Sequence, residues 1–492
     1  MKIHRYRETP MKYAPLYALI TLGVTISLLT GCTVGPDFTS PAKPDVTDYT
    51  TTPLPSKTAG APTPLGEAQY FTKSKGINSR WWQELGSARL NTLVLNALEA
   101  SPTLRQAQAT LNQAEELYMA RAGSSLYPQV AANLGTQRQR FSPSTSGLTG
   151  DAREFALYNT GVGINYTLDL TGGNRRALEA LAARIDYQRY QLAGARLNLV
   201  ARIVTTAITQ ASIYGQIQAT KDILHAQEEQ LELTKERVRL GQAAADEVSA
   251  LQTPVEQTRA TIPLLSTQLQ HTEHLLAVLA GRPPGAGDLP AFTLTEFTLP
   301  TNLPLIIPSE LVHSRPDIQA AEALLHTANA EYGMAIARLY PQINLSADLG
   351  LLSLTTESLF SGSSTVWGLV GQLTQPLLNP GLPAEKRAAL AGFDAAAANY
   401  QNIVLEALRN VADVLRALEN NAQRLGALVA ADLAAQKSFH TMQRRYELGA
   451  ASYVQLLIAQ QQVQQTRLNL IEGQARRLTD SAALYQAMGG DI

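Results

Sequence analysis

The chain contains one structural unit written twice. Glu236-Arg237-Val238-Arg239-Leu240-Gly241, followed by Val255, Gln257, Thr258 and Arg259, returns 208 residues later without a gap. The second copy reads Arg444-Arg445-Tyr446-Glu447-Leu448-Gly449, then Val463, Gln465, Thr466 and Arg467. Upstream, Leu126-Tyr127-Pro128-Gln129 is echoed by Leu339-Tyr340-Pro341-Gln342, and Ser101-Pro102 by Arg315-Pro316. Self-similarity at a fixed spacing confines the fold to two copies of one unit, at residues 85–281 and 309–489. A Pro-rich linker, residues 282–308, joins them.

Each copy follows the same plan. A helical stretch (85–123 and 309–338) leads to two strand-like segments, a very long helical stretch, a glycine and a returning helix. Neither Arg175 to Gly241 nor Ala384 to Gly449 contains proline, and Ala, Leu, Gln, Glu and Arg dominate both. At 1.5 Å per residue each long helix would reach about 100 Å. The incoming and returning helices together match that length, so two short helices stacked end to end could lie along one long helix. Helices alone would make a solenoid or a coiled-coil scaffold.

The strands argue for something else. Ile343, Leu345, Ala347, Leu349 and Leu351 alternate with Asn344, Ser346, Asp348 and Gly350, giving one apolar and one polar face. Tyr158, Thr160, Val162, Ile164, Tyr166 and Leu168 do the same in the first copy, and Trp367, Leu369 and Leu373 more weakly in the second. Gly/Ser-rich segments, Ser142 to Gly150 and Ser361 to Ser364, suit exposed hairpin loops. Four strands cannot close a barrel, and an open edge in lipid leaves backbone groups unpaired. A membrane-spanning version therefore needs an oligomer: two chains give eight strands around a filled interior, three give twelve around a pore.

Composition narrows the partners. The net charge of -1 gives no reason to expect a nucleic-acid surface. With 45% apolar and 16% charged residues, disorder is excluded for most of the chain. The single cysteine rules out an intrachain disulfide. Beyond the first 30 residues no uncharged apolar run approaches the roughly 20 residues of a spanning helix, so any membrane crossing uses strands.

That one cysteine sits at the end of an export signal. Lys2, Arg5, Arg7 and Lys12 precede an apolar stretch from Ala14 to Leu29, with Met1 or Met11 as the start. Leu29-Thr30-Gly31-Cys32 resembles the bacterial lipobox, which implies removal of residues 1–31 and acylation of Cys32. Thr33 follows, and lipoproteins lacking Asp there are, by resemblance, sent to the outer membrane. Residues 32–84, rich in Pro, Thr, Ser and Gly between 39 and 75, then form a lipidated tether or surface wrap.

Local chemistry also marks the two glycine turns. Gly241 and Gly449 stand where a long helix must end, and glycine adopts the left-handed cap conformation at little cost. Arg237 and Arg445 lie in the last turn, where a cation complements the helix dipole. Ser452 and Gln455 read as a capping box opening the returning helix.

Taken together the chain resembles the outer-membrane efflux factors, the TolC-type channel-tunnels, in the lipoprotein branch that serves RND-type tripartite pumps. The resembling residues are Cys32 with Val34-Gly35-Pro36-Asp37-Phe38, Arg80-Trp81-Trp82, Leu168-Asp169-Leu170 before Gly172, and Ile307-Pro308-Ser309-Glu310-Leu311. Arg315-Pro316-Asp317-Ile318, Ala321-Glu322, Tyr340-Pro341, Gln375-Pro376-Leu377 and the two Arg-x-x-x-Gly turns complete them. The resemblance implies a mixed α and transmembrane β fold. A homotrimer would share a 12-stranded β-barrel, four strands per chain, continued by a long antiparallel α-helical barrel. It implies a passive exit duct for drugs or other small molecules in the outer membrane of a Gram-negative bacterium, lipid-anchored and extending into the periplasm. The implied partners are a periplasmic adapter (membrane fusion) protein, an inner-membrane RND-type transporter and outer-membrane lipid. No cofactor is expected beyond the covalent lipid on Cys32.

By the same resemblance the glycine turns form the closed periplasmic tip, making Leu240, Gly241, Leu448, Gly449 and Ser452 adapter-docking candidates. Tyr446 matches a tyrosine that bonds an acidic residue of the neighbouring turn to hold the tip shut, with Asp246 or Glu247 as partner here. The family's companion arginine is replaced by Ala451, and its constricting aspartate by Ile458, with Val454 one helical turn before. An apolar ring at Val454 and Ile458 would block ions by excluding water instead of by charge.

An enzyme finds little support. The sequence has no Gly-x-Ser-x-Gly elbow, phosphate-binding Gly-rich loop with Lys-Ser/Thr, or His-Glu-x-x-His helix. His271 and His274 could share a metal on one helix face, yet no third ligand is evident nearby, and a solvated helix surface explains them. A lipid-anchored periplasmic coiled-coil scaffold without channel activity is the remaining alternative.

Overall fold

The computed structural model describes residues 33–74, 76–147 and 149–489. The expected export signal and the expected acylation site Cys32 lie outside them. Strand β1 (Tyr70–Lys73) and a single 3-10 turn (Trp81–Leu85) precede helices α1 (Ala88–Ala100) and α2 (Pro102–Leu126). Strands β2 (Gln129–Phe141) and β3 (Arg153–Leu168) lead to helix α3 (Gly173–Arg239), and α4 (Ala245–Leu279) returns. After β4 (Asn302–Leu305) in the linker, the plan repeats: α5 (Pro308–Ser314), α6 (Pro316–Ala337), β5 (Gln342–Ser353), β6 (Thr365–Thr374), α7 (Gly381–Glu447) and α8 (Tyr453–Ala487). Helices α3 and α7 have 67 residues each, α4 and α8 have 35 each. The duplication is thus exact in length for the long and returning helices, while the incoming helices differ, 13 and 25 residues in the first copy against 7 and 22 in the second.

The incoming helical stretch is broken where one continuous run was expected. Both breaks precede a proline: Ser101 and Arg315 each have ψ 121°. Proline's ring clashes with a helical predecessor and pushes it into the extended region. A different outcome holds in α4, which runs through Pro254 and Pro263 without ending.

Two compact units divide the described chain. The first holds residues 33–40, 112–185 and 323–398. Its centre is an antiparallel sheet in the order β2-β3-β5-β6. Residues 34–38 strap across this unit through Arg176, whose side chain is 3% exposed. Its guanidinium donates to Asp37 and Glu179 at 2.7 Å each and to the Gly35 carbonyl at 3.2 Å. Phe38 stacks on His326 with centroids 4.3 Å apart, and His326 meets Glu179 at 2.9 Å. The strap needs glycine beneath it: a Cβ on Gly172, which has φ +77°, would come within 2.2 Å of Thr33 Cγ2.

The second unit holds residues 41–111, 186–322 and 399–489. Its helices bury seams at steps of three or four residues, as in Val404, Ala407, Val411, Leu415, Leu418, Ala422 and Leu425 of α7. The wrap is ordered against this unit. Strand β1 pairs in parallel with β4, Tyr70 opposite Asn302. Arg477 of α8, 1% exposed, donates to the Glu67 carbonyl (2.9 Å) and to the Leu418 carbonyl and Thr58 hydroxyl (both 3.3 Å). Trp81 stacks on Tyr485 at 5.2 Å and Trp82 donates to Asn91 at 3.1 Å, so of the tether or wrap expected, this stretch lies here as a wrap anchored by two buried tryptophans.

Candidate functional site

The sheet of the first unit sorts its side chains by face. Residues opposite one another in an antiparallel pair share a face. Val130 is opposite Ile164, Ile164 opposite Ala347, and Ala347 opposite Leu369. The next row joins Ala132, Val162, Leu349 and Trp367. One continuous apolar face therefore crosses all four strands, and it is bare: Leu134, Trp367 and Leu369 are 82%, 78% and 76% exposed. The other face carries Asn133, Asn159, Asn165, Asn344, Ser346 and Asp348. Strands β2 and β6 end the sheet, each with an unpaired edge within the chain. Ten to sixteen residues per strand suffice to span a bilayer's hydrocarbon. Among the described residues no helix is long and apolar enough to do so.

The two glycine turns lie in the second unit. Gly241 and Gly449 have φ +74° and +72°. Gly241 N–H donates to Val238 at 2.9 Å and Gln242 to Arg237 at 2.8 Å; Gly449 and Ala450 repeat the pattern onto Tyr446 (3.0 Å) and Arg445 (2.7 Å). These are Schellman closures, which satisfy the last carbonyls of each long helix. Ser452 and Gln455 form the expected capping box on α8. On α4 the equivalent position is Ala244, which has no side-chain cap.

Between the turns, Tyr446 donates its hydroxyl hydrogen bond to Glu247 at 2.8 Å. Of the two acidic partners expected, the geometry selects Glu247; Asp246, one residue earlier and so rotated about 100° around α4, is exposed. Arg237 lies over the Tyr446 ring at 5.4 Å, and Tyr453 meets the same ring edge-on at 6.0 Å. Burial, then the Glu247 carboxylate, push the Tyr446 hydroxyl's pKa up against the opposing pull of Arg237. Tyr453 is pushed up further, again chiefly by burial. Its hydroxyl is enclosed and finds no hydrogen-bond partner among the described residues. Leu231, Leu251, Val255 and Leu456 complete the apolar cluster around the two rings.

The family follows from sequence comparison. A model described as outer membrane efflux protein matches residues 93–282 and 307–490. The chain belongs to that family. It is similar to the probable efflux pump outer membrane protein TtgC of Pseudomonas putida, 29% identical over 479 residues, 96% of this chain and 95% of that one. The pyoverdine export outer membrane protein OpmQ of Pseudomonas aeruginosa is 27% identical over 416 residues, 84% and 87% of the two chains. Among solved structures, the outer-membrane channel OprN superposes with TM-score 0.84 at 26% identity over 93% of this chain and 99% of that one. The open state of the Neisseria gonorrhoeae MtrE outer membrane channel gives 0.79 at 26%, covering 94% and 98%. This outer membrane efflux protein is an exit duct of an efflux pump, with the mixed helical and membrane-strand fold of the TolC-type channel-tunnels.

The other site residues expected from sequence lie on the surface around the Tyr446–Glu247 contact, which we call the clasp. Leu240 and Leu448 project from the turns, Leu448 83% exposed. Val454 and Ile458 lie one helical turn apart on α8, each 61% exposed in the single chain. Sequence reasoning missed Tyr453, which reads as the first apolar residue after a cap, and assigned Arg237 only to the helix dipole. The i, i+7 pair Tyr446 and Tyr453 across a glycine turn was the available signal. Among the described residues no three His, Cys, Asp or Glu side chains gather as metal ligands.

Proposed function

We propose that three copies of this outer membrane efflux protein close a twelve-stranded barrel and form a passive, non-enzymatic duct gated at the Tyr446–Glu247 clasp. The observation that carries this reading is the four-stranded sheet with one bare apolar face and two unpaired edges. Lipid covers such a face favourably, and neighbouring chains supply the missing edges. Two chains would give a barrel filled by its own side chains, whereas three leave a pore. A scaffold in water has no use for an exposed apolar sheet.

The duct serves an adapter protein, which docks at Leu240, Gly241, Leu448, Gly449 and Ser452, and an RND-type transporter of the inner membrane. Val454 and Ile458 form the apolar constriction beside the clasp. An acyl group on Cys32 anchors the wrap to the outer membrane. Relatives whose names cite toluene, solvents, antibiotics and pyoverdine support small, largely apolar or chelating organic cargo. The test is the particle mass in mild detergent, corrected for bound detergent, followed by single-channel recording. A conducting trimer is expected; a monomer, or release from membranes on cleaving the lipid alone, would refute the proposal. Palmitate labelling that survives Cys32→Ala would refute the anchor separately.

A further inference from the structure

The outward face of the sheet does not end where its apolar rows end. Strands β2 and β3 pair from Gln129 opposite Asn165 up to Phe141 opposite Arg153. Pairing of β3 with β5 stops earlier, at Tyr158 opposite Ser353. The first hairpin therefore projects beyond the rest of the sheet. This end is the one away from the helices, since α2 enters β2 at Gln129 and β3 leaves at Leu168 for α3. With the helices of an efflux duct in the periplasm, the projecting hairpin faces the cell exterior.

Side chains two apart on a strand share a face, so Val130, Ala132 and Leu134 continue through Thr136 to Arg138 and Arg140. Their partners on β3 are Tyr158, Ala156 and Glu154, opposite Thr136, Arg138 and Arg140. Four residues separate Leu134 from Arg138, about 14 Å along the strand. At the tilt of a membrane barrel that is roughly 10 Å along the bilayer normal. Both arginines thus leave the hydrocarbon and reach the level of the outer-leaflet headgroups, with Tyr158 at the boundary where aromatic girdles lie.

The two cations are weakly committed within the chain. Arg138 is 80% exposed and meets Glu154, itself 52% exposed, at 3.3 Å, a pair that solvent screens. The Arg140 side chain is exposed and makes no hydrogen bond or ion pair with the described residues, its backbone alone being paired in the ladder with β3. Arg153 is opposite Phe141 and so belongs to the inner face, and Asp151 lies in the exposed hairpin loop. The outward face here carries two cations against one carboxylate. A guanidinium binds phosphate through two parallel N–H donors, and a low-dielectric boundary strengthens the attraction.

We propose that Arg138 and Arg140 form an outward-facing site for the phosphates of lipopolysaccharide in the outer leaflet. The inference rests on the barrel reading given above. It is tested with the purified full-length protein in nanodiscs, titrated with diphosphorylated lipid A, with enzymatically dephosphorylated lipid A, and with inorganic phosphate as competitor. The expected result is at least tenfold tighter binding of the phosphorylated lipid by the native protein. Arg138→Ser with Arg140→Ser should lose that preference, whereas Arg153→Ser should keep it. Equal affinity of the native protein for both lipids overturns the site, as does an unchanged preference in the double variant. Displacement by millimolar inorganic phosphate overturns the lipid assignment. Trimer mass and conductance are measured in parallel: conducting trimers without lipid preference refute this site alone, while the absence of native trimers refutes the barrel.

Discussion

Replacing Tyr446 with phenylalanine removes one oxygen from the clasp and leaves the rest in place. Glu247 loses its 2.8 Å hydrogen bond, while Arg237 and Tyr453 keep their contacts with the ring. A hydrogen bond to a charged group contributes about 1.5–3 kcal/mol, and water at the half-exposed Glu247 recovers part of it, so we expect about 1.5 kcal/mol per chain. If three tips move together, the contributions sum to about 4–5 kcal/mol, roughly three decades in the closed-to-open ratio. Tyr453→Phe makes the same chemical change 6.0 Å away with the opposite sign. Its hydroxyl is enclosed without a partner, so removing it relieves a desolvation penalty of about 1–3 kcal/mol in the closed tip. Open probability in planar bilayers should rise in Tyr446→Phe and fall in Tyr453→Phe. Shifts in the same direction, or an unchanged Tyr446→Phe channel, would refute the clasp as the latch.

Further expectations concern separate parts of the chain. Arg477→Ala takes the side-chain donor from the Glu67 carbonyl and the Thr58 hydroxyl, leaves the Leu418 carbonyl only its helical hydrogen bond and opens a cavity, costing about 3–5 kcal/mol, read as a lower melting temperature of the detergent-solubilised protein. Gly172→Ala combines a left-handed backbone with a Cβ contact of 2.2 Å to Thr33, so limited proteolysis should cut residues 33–40 faster while α3 stays intact. Ile458→Asp should make conductance sensitive to micromolar trivalent cations that leave the native channel open; block of the native channel at that concentration would contradict an apolar constriction. Hydrogen exchange should be faster across Val248 to Gln268 of α4 than across the equivalent Leu456 to Arg476 of α8, because Pro254 and Pro263 each free a helical carbonyl.

What the sequence made legible was local. The long helices follow from proline-free runs, and their ends from glycine with a preceding arginine, a chemistry complete within six residues. Strand β5 alternates cleanly from Gln342 to Leu351. Strand β2 does not, because Gln137, Arg138, Gln139 and Arg140 are polar on both faces where the hairpin leaves the apolar band. The parallel pair of β1 and β4 was invisible for another reason: its partners are more than 200 residues apart and each strand has only four residues. At the clasp, sequence narrowed the acceptor to two neighbours. The choice of Glu247 depends on the rotation of α4 against α7, which no local pattern encodes.

The long helical hairpins of the two copies have kept their lengths and diverged in their seams. Along α3, Thr220, Gln227 and Thr234 occupy buried positions seven residues apart, and neither amide atom of Gln227 finds a partner among the described residues. The equivalent positions of α7 are Leu428, Ala435 and Met442, all apolar. The polar group that α7 does bury, Asp432, receives hydrogen bonds from Gln436 at 2.7 Å and Thr466 at 3.3 Å. Unsatisfied polar atoms weaken a seam, whereas satisfied ones fix its register. Pro254 and Pro263 add to the weakness on α4, where the second copy has Gln462 and Ile471. Selection for length alone would have left both hairpins equally rigid. These residues make the hairpin of α3 and α4 the softer of the two, and the one expected to yield first if the turns open.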